Sequence, residues 1–491
     1  MGAANQQATP VSYYIKLFIC IMFLFFFNKL VPAWGGITDT GMASIGIFIG
    51  LVLMIVFNFG LIPSSLIAIF AVVHSGFLNG TDVIGQTIGN GSTVQLFFTF
   101  SICNSLIQTG AGAFIAKWML SRRAIQGRPM MFCFVLLLAG WLSGPFMGSA
   151  GLILIYTIMD YINDTLGYEK DSDFNMMTRI GLQSAGMIGM AFLPFKGVTL
   201  AIFTSIAGAL ESVGIETNYA YYMLGGAVIA LLYCFAFLMA MRYLFRVDLG
   251  RLEALDITRM EGMSDLKITR PQVYSIVFSM AAILYTVVQL FLPRGAFQEY
   301  FSGITLWLWA ALMMSVLALL RYKGKPVVEP EQMMEKIMWG VVLATAAFTV
   351  VGGMMSNKDL GVRSWIAAAL NPIFGNMPFP VFMLVIVIIA ALVTNFFSNM
   401  ATGLIVGSTV APFCIEYCET LGVNGSFICL ALISAAMFAF LTMAAAGPAP
   451  LLLSQEPFVK KPGYIWSHGL PVLVMGILVI WIVSTVGAYV F

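Results

Sequence analysis

The sequence predicts an all-α polytopic membrane protein. Three observations carry that expectation. Hydrophobic residues make up 60% of the 491 positions and charged residues 9%. Mean hydropathy is +0.94. Apolar stretches long enough to cross a bilayer recur from one end of the chain to the other. A soluble domain carries about 25% charge and roughly 45–50% apolar residues, so a soluble enzyme, a nucleic-acid binder and a disordered chain are excluded. The formal net charge of +2 gives no field that would recruit a nucleic acid. His74 and His468 stand far apart and match no metal spacing; the cysteines are scattered, and the Cys414/Cys418 pair reads as apolar packing.

A spanning helix needs about 20 mostly apolar residues. Such stretches run at about 13–33, 41–59, 61–79, 94–120, 130–160, 176–212, 217–245, 271–292, 303–321, 337–356, 379–415, 427–453 and 464–491. The first lacks a small-x-small cleavage site and contains Lys29, so it reads as a retained helix rather than a signal peptide. In the second, the Gly46-x-x-x-Gly50 spacing suits helix packing. The stretches 130–160 and 379–415 are too long for one span; breaks are expected at Ser143-Gly144-Pro145 and at Ser398-Asn399-Met400. Two more are expected at 193–197, around Pro194 and Lys196, and at 446–450, around Gly447 and Pro448.

The breaks repeat along the chain. Ser143 and Ser398 are 255 positions apart, as are Gly148 and Gly403, and Pro194 and Pro448 are 254 apart. This predicts an N-terminal helix over 1–40, a first repeat over 41–246, a polar linker of both charge signs over 247–270, and a second repeat over 271–491. Basic residues orient the chain. If the two long broken stretches are re-entrant hairpins, 19 of the 24 Lys and Arg fall on one face and four (Lys29, Arg294, Lys358, Arg363) on the other, with Lys196 left in the membrane. If they crossed fully, the basic loops would split between faces. The hairpin reading gives eleven transmembrane helices, inverted repeats, a cytoplasmic N-terminus and an external C-terminus, in the inner membrane if the host is a bacterium.

Irregular backbone at membrane depth must be covered by protein or line a wet cavity. Paired interruptions in two inverted repeats point to a transporter's binding site. Broken helices present free N–H groups and a positive partial charge, which favour anions. The charges agree. Asp160, Glu211, Glu416 and Glu456 fall at span ends, and the cation placed in the core is Lys196. A core Lys calls for an anionic partner; with no carboxylate beside it, either Lys196 snorkels or pairs with backbone carbonyls, or, by the preferred reading, the substrate fills that role.

Two hairpins with Ser-bearing tips, each followed by a helix broken at Pro, resemble the divalent anion/sodium symporter family of the ion transporter superfamily. The motif Asn395-Phe396-Phe397-Ser398-Asn399-Met400-Ala401-Thr402 is similar to that family's second Ser-Asn-Thr tip, with Met400 where Thr is usual. Gly447-Pro448 stands where the family has Thr-Pro or a similar pair, and Ser143-Gly144-Pro145 replaces the first Ser-Asn-Thr. The resemblance implies a homodimeric, elevator-type secondary transporter whose tips and broken helices bind substrate carboxylates and shape sodium sites. Carried onto this chain, the binding residues are Ser143, Gly144, Pro145, Lys196, Ser398, Asn399, Met400, Thr402, Gly447 and Pro448, with sodium at Ser398 and Asn399. The first tip lacks the Asn and Thr oxygens, and Lys196 lies where its ammonium could replace that sodium charge. The expected activity is therefore transport of small organic anions, di- and tricarboxylates foremost, by exchange. The alternatives are sodium-coupled symport, carriage of a monocarboxylate or inorganic anion, and an anion channel. No buried acid–base pair or activated nucleophile suggests an enzyme.

Overall fold

The computed structural model describes residues 11–491 apart from 58, 121–126, 148, 194–196, 212, 255–266, 292–294, 336, 338, 375–376, 398, 443–444 and 446–448. The chain is helical almost throughout. The first half runs α1 (Val11–Leu30), α2 (Asp39–Val56), α3 (Leu61–His74), α4 (Asp82–Gln86), α5 (Gly91–Gln108), α6 (Ala111–Leu120), α7 (Pro129–Met147), α8 (Ser149–Leu166), α9 (Asp173–Phe192), α10 (Gly197–Glu211) and α11 (Tyr219–Met239). The second half runs α12 (Arg270–Phe291), α13 (Ala296–Gly303), α14 (Leu306–Leu319), a two-residue β-ribbon pairing Arg321–Tyr322 with Lys325–Pro326, α15 (Pro330–Glu335), α16 (Trp339–Ser356) and α17 (Val362–Phe374). It ends with α18 (Phe379–Thr394), α19 (Asn399–Leu421), α20 (Gly425–Met437), α21 (Ala449–Leu453), α22 (Glu456–Lys460) and α23 (Leu470–Val490).

Among the described residues four helical segments are long and apolar enough to cross a bilayer on their own: Val11–Leu30, Tyr219–Leu244, Asn399–Leu421 and Ile465–Val490. Shorter apolar helices make up much of the rest, among them α7, α10, α18 and α20, which flank the interruptions.

Two compact units form, Met1–Thr93 with Trp339–Asn376, and Val94–Met338 with Met377–Phe491. Compactness and the expected repeat boundaries do not coincide, because each unit draws on both halves of the chain. In the first, α2 packs on α1 and α3 packs along α16. Gly46 and Gly50 allow the α1–α2 approach: a Cβ on Gly46 would sit 2.4 Å from Phe27 Cβ and 2.5 Å from the Phe23 carbonyl. The second unit makes the reciprocal borrowing. Ile102 of α5 packs with Ala282 of α12 and Met313 of α14, and Asn104 donates to the Met333 carbonyl at 3.0 Å.

The core of the second unit is α9 and α20. Every residue of α20 is buried, and so are nearly all those of α9, including Asn175, Thr178, Arg179, Gln183 and Ser184. A helix this polar is tolerated at membrane depth only when neighbours cover it. Here α7, α8, α11, α20 and α21 do so.

Candidate functional site

The helix interruptions define the site. α9 ends at Phe192 and α10 begins at Gly197, bracketing the break expected at 193–197. The last carbonyls of α9 are capped from outside the helix: Met190 O accepts from Thr199 Oγ1 at 2.8 Å and Ala191 O from the Tyr222 hydroxyl. Orphan carbonyls at a buried helix end require such partners.

α20 stops at Met437, and 438–442 are not helical; residues 446–448 of the break expected at 446–450 lie outside the described residues, and helix is described again over Ala449–Leu453. Asn395 explains the early stop. Its Oδ1 accepts from Phe440 N at 2.9 Å and Leu441 N at 2.8 Å, and its Nδ2 donates to Phe438 O at 3.2 Å and Ala391 O at 2.7 Å. Thr442 Oγ1 donates to the Asn395 carbonyl, and Thr394 Oγ1 donates to Ala436 O. The turn between α18 and α19 thus replaces helix hydrogen bonds of the unwound segment after α20. Sequence reading looked for Gly and Pro as breakers and missed Thr394, Asn395 and Thr442. Asn395 was visible only as part of the tip motif.

The break expected at Ser143-Gly144-Pro145 is not observed. α7 runs unbroken through Ser143, Gly144 and Pro145 to Met147. Ser143 Oγ donates to Gly140 O at 2.7 Å within its own helix. A Cβ on Gly144 would lie 2.4 Å from Gly186 O, and one on Gly189 2.0 Å from Trp141 O. Gly144 is therefore a point of close helix approach, and α7 and α8 are described on either side of Gly148, which lies outside the described residues. α8 then packs back along α7.

These contacts bring the interruptions together. Gly140 meets Leu182 while Gly144 meets Gly186 and Met190, so α7 and α9 run parallel and end at the same level. Gly403 meets Ile202 and Gly407 meets Ile206, so α10 and α19 also run parallel with their N-termini side by side. Two helix N-termini converge there, and their partial positive charges add. Asn399 opens α19; its Oδ1 accepts from Thr394 Oγ1 at 3.1 Å and its Nδ2 reaches Met437 Sδ at 3.7 Å. Met400 is buried beside it. Thr402 is 1% exposed, and its hydroxyl has no hydrogen-bond partner among the described residues. Lys196, Ser398, Gly447 and Pro448 lie outside the described residues, as do Gly148 and Pro194.

A buried cation that the sequence analysis did not single out is Arg179 of α9, 4% exposed. Its Nε donates to Asn175 Oδ1 at 2.7 Å and one terminal nitrogen donates to Gln455 Oε1 at 2.6 Å. The other is paired with Asp160. The signal was present as an Arg inside an apolar stretch beginning at 176.

A family model described as the sodium:sulfate symporter transmembrane region matches residues 12–490. The chain belongs to that family. It is an integral, multi-pass membrane transporter, as the resemblance to the divalent anion/sodium symporters implied. Two solved structures share the fold. The YdaH transporter of Alcanivorax borkumensis superposes with a TM-score of 0.58 at 16% identity, covering 84% of this chain and 88% of that one. MtrF of Neisseria gonorrhoeae, described within a class of antimetabolite efflux pumps, superposes with a TM-score of 0.57 at 13% identity, covering 99% and 96%. No curated protein matches the sequence. The family and both structural neighbours are transporters or efflux pumps and not enzymes. Family membership makes the protein a secondary transporter of anions.

Proposed function

We propose that the protein carries small organic anions, di- and tricarboxylates foremost, and exchanges one anion for another with Lys196 in place of a sodium ion. The observation that carries the anion preference is the charge of the buried set. Among the described residues the buried side chains include Arg179 and no carboxylate. A cation carrier would need the reverse. The substrate's carboxylates would sit at the paired N-termini of α10 and α19, against Ser143, Gly144, Pro145, Ser398, Asn399, Met400, Thr402, Gly447 and Pro448. The unpartnered Thr402 hydroxyl supports a polar ligand at that place. Alternating access would come from movement of the hairpins and broken helices in a homodimer, on the inverted-repeat plan of eleven spans.

Exchange follows from a fixed charge. An ammonium in the α9–α10 break cannot leave with the substrate, so the empty carrier would reorient with an uncompensated cation in low dielectric. The loaded carrier would be nearly neutral there. The second reading is sodium-coupled symport, favoured by the family and by the neutral oxygens of Asn399 and Thr402, the donor type a hard cation takes.

Proteoliposomes separate the two. Uptake that needs internal anion and proceeds equally in sodium and in choline is the expected result, with loss of exchange in Lys196→Gln. Fast sodium-driven uptake into empty vesicles would establish symport instead. Absence of saturable counterflow would indicate a channel.

A further inference from the structure

The second unit contains another polar cavity, of about 340 Å³, between the α8–α9 pair and the 451–457 segment. It lies apart from the hairpin tips. At about 1.5 Å per residue, Asp160 is roughly 17 Å along α8 from Ser149, and Arg179 is roughly 21 Å along α9 from Leu193. We propose that this cavity is a second anion site, where Arg179, assisted by Lys170 and Gln455, receives a carboxylate of the transported anion on its path to or from the tips. The inference rests on the anion-carrier reading above.

Four observations carry it. First, the buried charge at the floor is positive. Arg179 is 4% exposed, whereas the side chains of Asp160, Glu456 and Lys170 are 61%, 53% and 70% exposed and so screened by solvent, which leaves Arg179 the main contributor and Lys170 a minor one. Second, a guanidinium offers five N–H groups in a planar fork. Among the described residues Asn175, Gln455 and Asp160 take three, which leaves two for a carboxylate. Asp160 serves as the resting counter-ion that keeps the guanidinium from standing unpaired when the cavity is empty. Third, the fork is held in one orientation. The Tyr156 ring lies 5.4 Å from the guanidinium carbon, and the Tyr156 hydroxyl donates to Gln183 Oε1 at 2.6 Å. Fourth, polar groups continue toward the tip. Asn163–Asn175, Asp160–Arg179 and Tyr156–Gln183 form three successive rungs between α8 and α9. On the innermost, Gln183 is fully buried and its Nε2 has no hydrogen-bond partner among the described residues. Ile153 of α8 and Leu451 of α21, each within about a turn of an interruption, supply apolar wall for a carbon skeleton.

The test is equilibrium binding of labelled succinate to the purified full chain. Succinate, citrate and sulfate are also screened as stabilisers of the wild type. Asn399→Ala should retain a weaker succinate site. In that background Arg179→Gln should reduce the residual affinity about tenfold or more, the effect of losing hydrogen bonds to a charged ligand, and Arg179→Lys should restore part of it. Lys170 is 70% exposed, so Lys170→Gln does not threaten folding; it should weaken the residual site by roughly two- to fivefold. The inference is overturned if Asn399→Ala abolishes succinate binding outright, or if Arg179→Gln and Lys170→Gln both leave the residual binding unchanged. If none of the three anions binds or stabilises the wild type, the anion-carrier reading itself falls, and this site with it.

Discussion

Asn395 and Asn399 are four residues apart in one tip motif, yet the structure gives them different work. Asn395 holds two backbone N–H groups, Phe440 and Leu441, that have left the α20 helix. Each buried donor left unpaired costs about 1–3 kcal/mol, so Asn395→Ala should lower stability by roughly 2–6 kcal/mol and reduce the yield of folded protein. Thermal unfolding of the purified variant measures this. Asn399 accepts one hydrogen bond from Thr394 and reaches one sulfur, so its carboxamide retains capacity for a ligand. Asn399→Ala should keep its melting temperature within a few degrees while subsaturating uptake falls roughly 10- to 150-fold, the value of about 1.5–3 kcal/mol for a hydrogen bond to a charged ligand. Equal uptake in Asn399→Ala and wild type would remove Asn399 from the site. Sequence patterns pick out the tip motif but cannot divide these roles. Both residues are buried amides in an apolar stretch, and only the partners 38 to 46 residues away distinguish them.

At the scale of elements, legibility followed chemistry. The α9–α10 break was readable because Pro194 stands in it. The stop of α20 at Met437 was not readable, because a side chain, not a Pro or Gly, ends that helix. Ser143-Gly144-Pro145 looks like a breaker and is instead a packing surface, because Gly144 and Gly189 bring α7 and α9 into backbone contact. Gly189→Ala would place a Cβ 2.0 Å from the Trp141 carbonyl, where no flexible side-chain end can yield. Overpacking of this kind costs about 1–3 kcal/mol or more, and the melting temperature should drop accordingly. Gly208 in α10 is the control, since a Cβ there meets nothing within 4 Å. Gly208→Ala should be neutral or stabilising by up to about 1 kcal/mol through helix propensity. A Gly189→Ala protein as stable as Gly208→Ala would show that α7 and α9 do not approach in this way.

For the molecule as a whole, the connection between α8 and α9 is tied to the 455–461 segment by charge. Lys461 stands 2.8 Å from Asp171, and Glu456 lies 2.7 Å from Lys460 and 3.4 Å from Lys170. Hydrogen bonding and the nearby ammonium groups hold both carboxyls below their ordinary values. A carboxylate with a lowered value in the folded state stabilises above the ordinary carboxylate range and loses that contribution as pH falls through the lowered value. The melting temperature of wild type should therefore exceed that of an Asp171→Asn/Glu456→Gln protein by a small margin at pH 7. The margin should shrink as the pH falls below the ordinary carboxylate range, close once it is below the lowered values, and shrink in high salt. A margin that grows on acidification would contradict these pairings.

The reciprocal borrowing between the halves has a consequence for biogenesis. α1 to α4 leave the ribosome without α16 and α17, which complete their unit. Roughly 245 residues, from Val94 to Met338, must be made in between. At about 5–20 residues per second this is a delay of roughly 12–50 s. Throughout it, the face of α3 that will meet α16 has only lipid, the insertion machinery or a chaperone to cover it. A chain truncated before Trp339 could not close its first unit however well its early helices insert, so the cell's membrane quality control would meet it as an orphan.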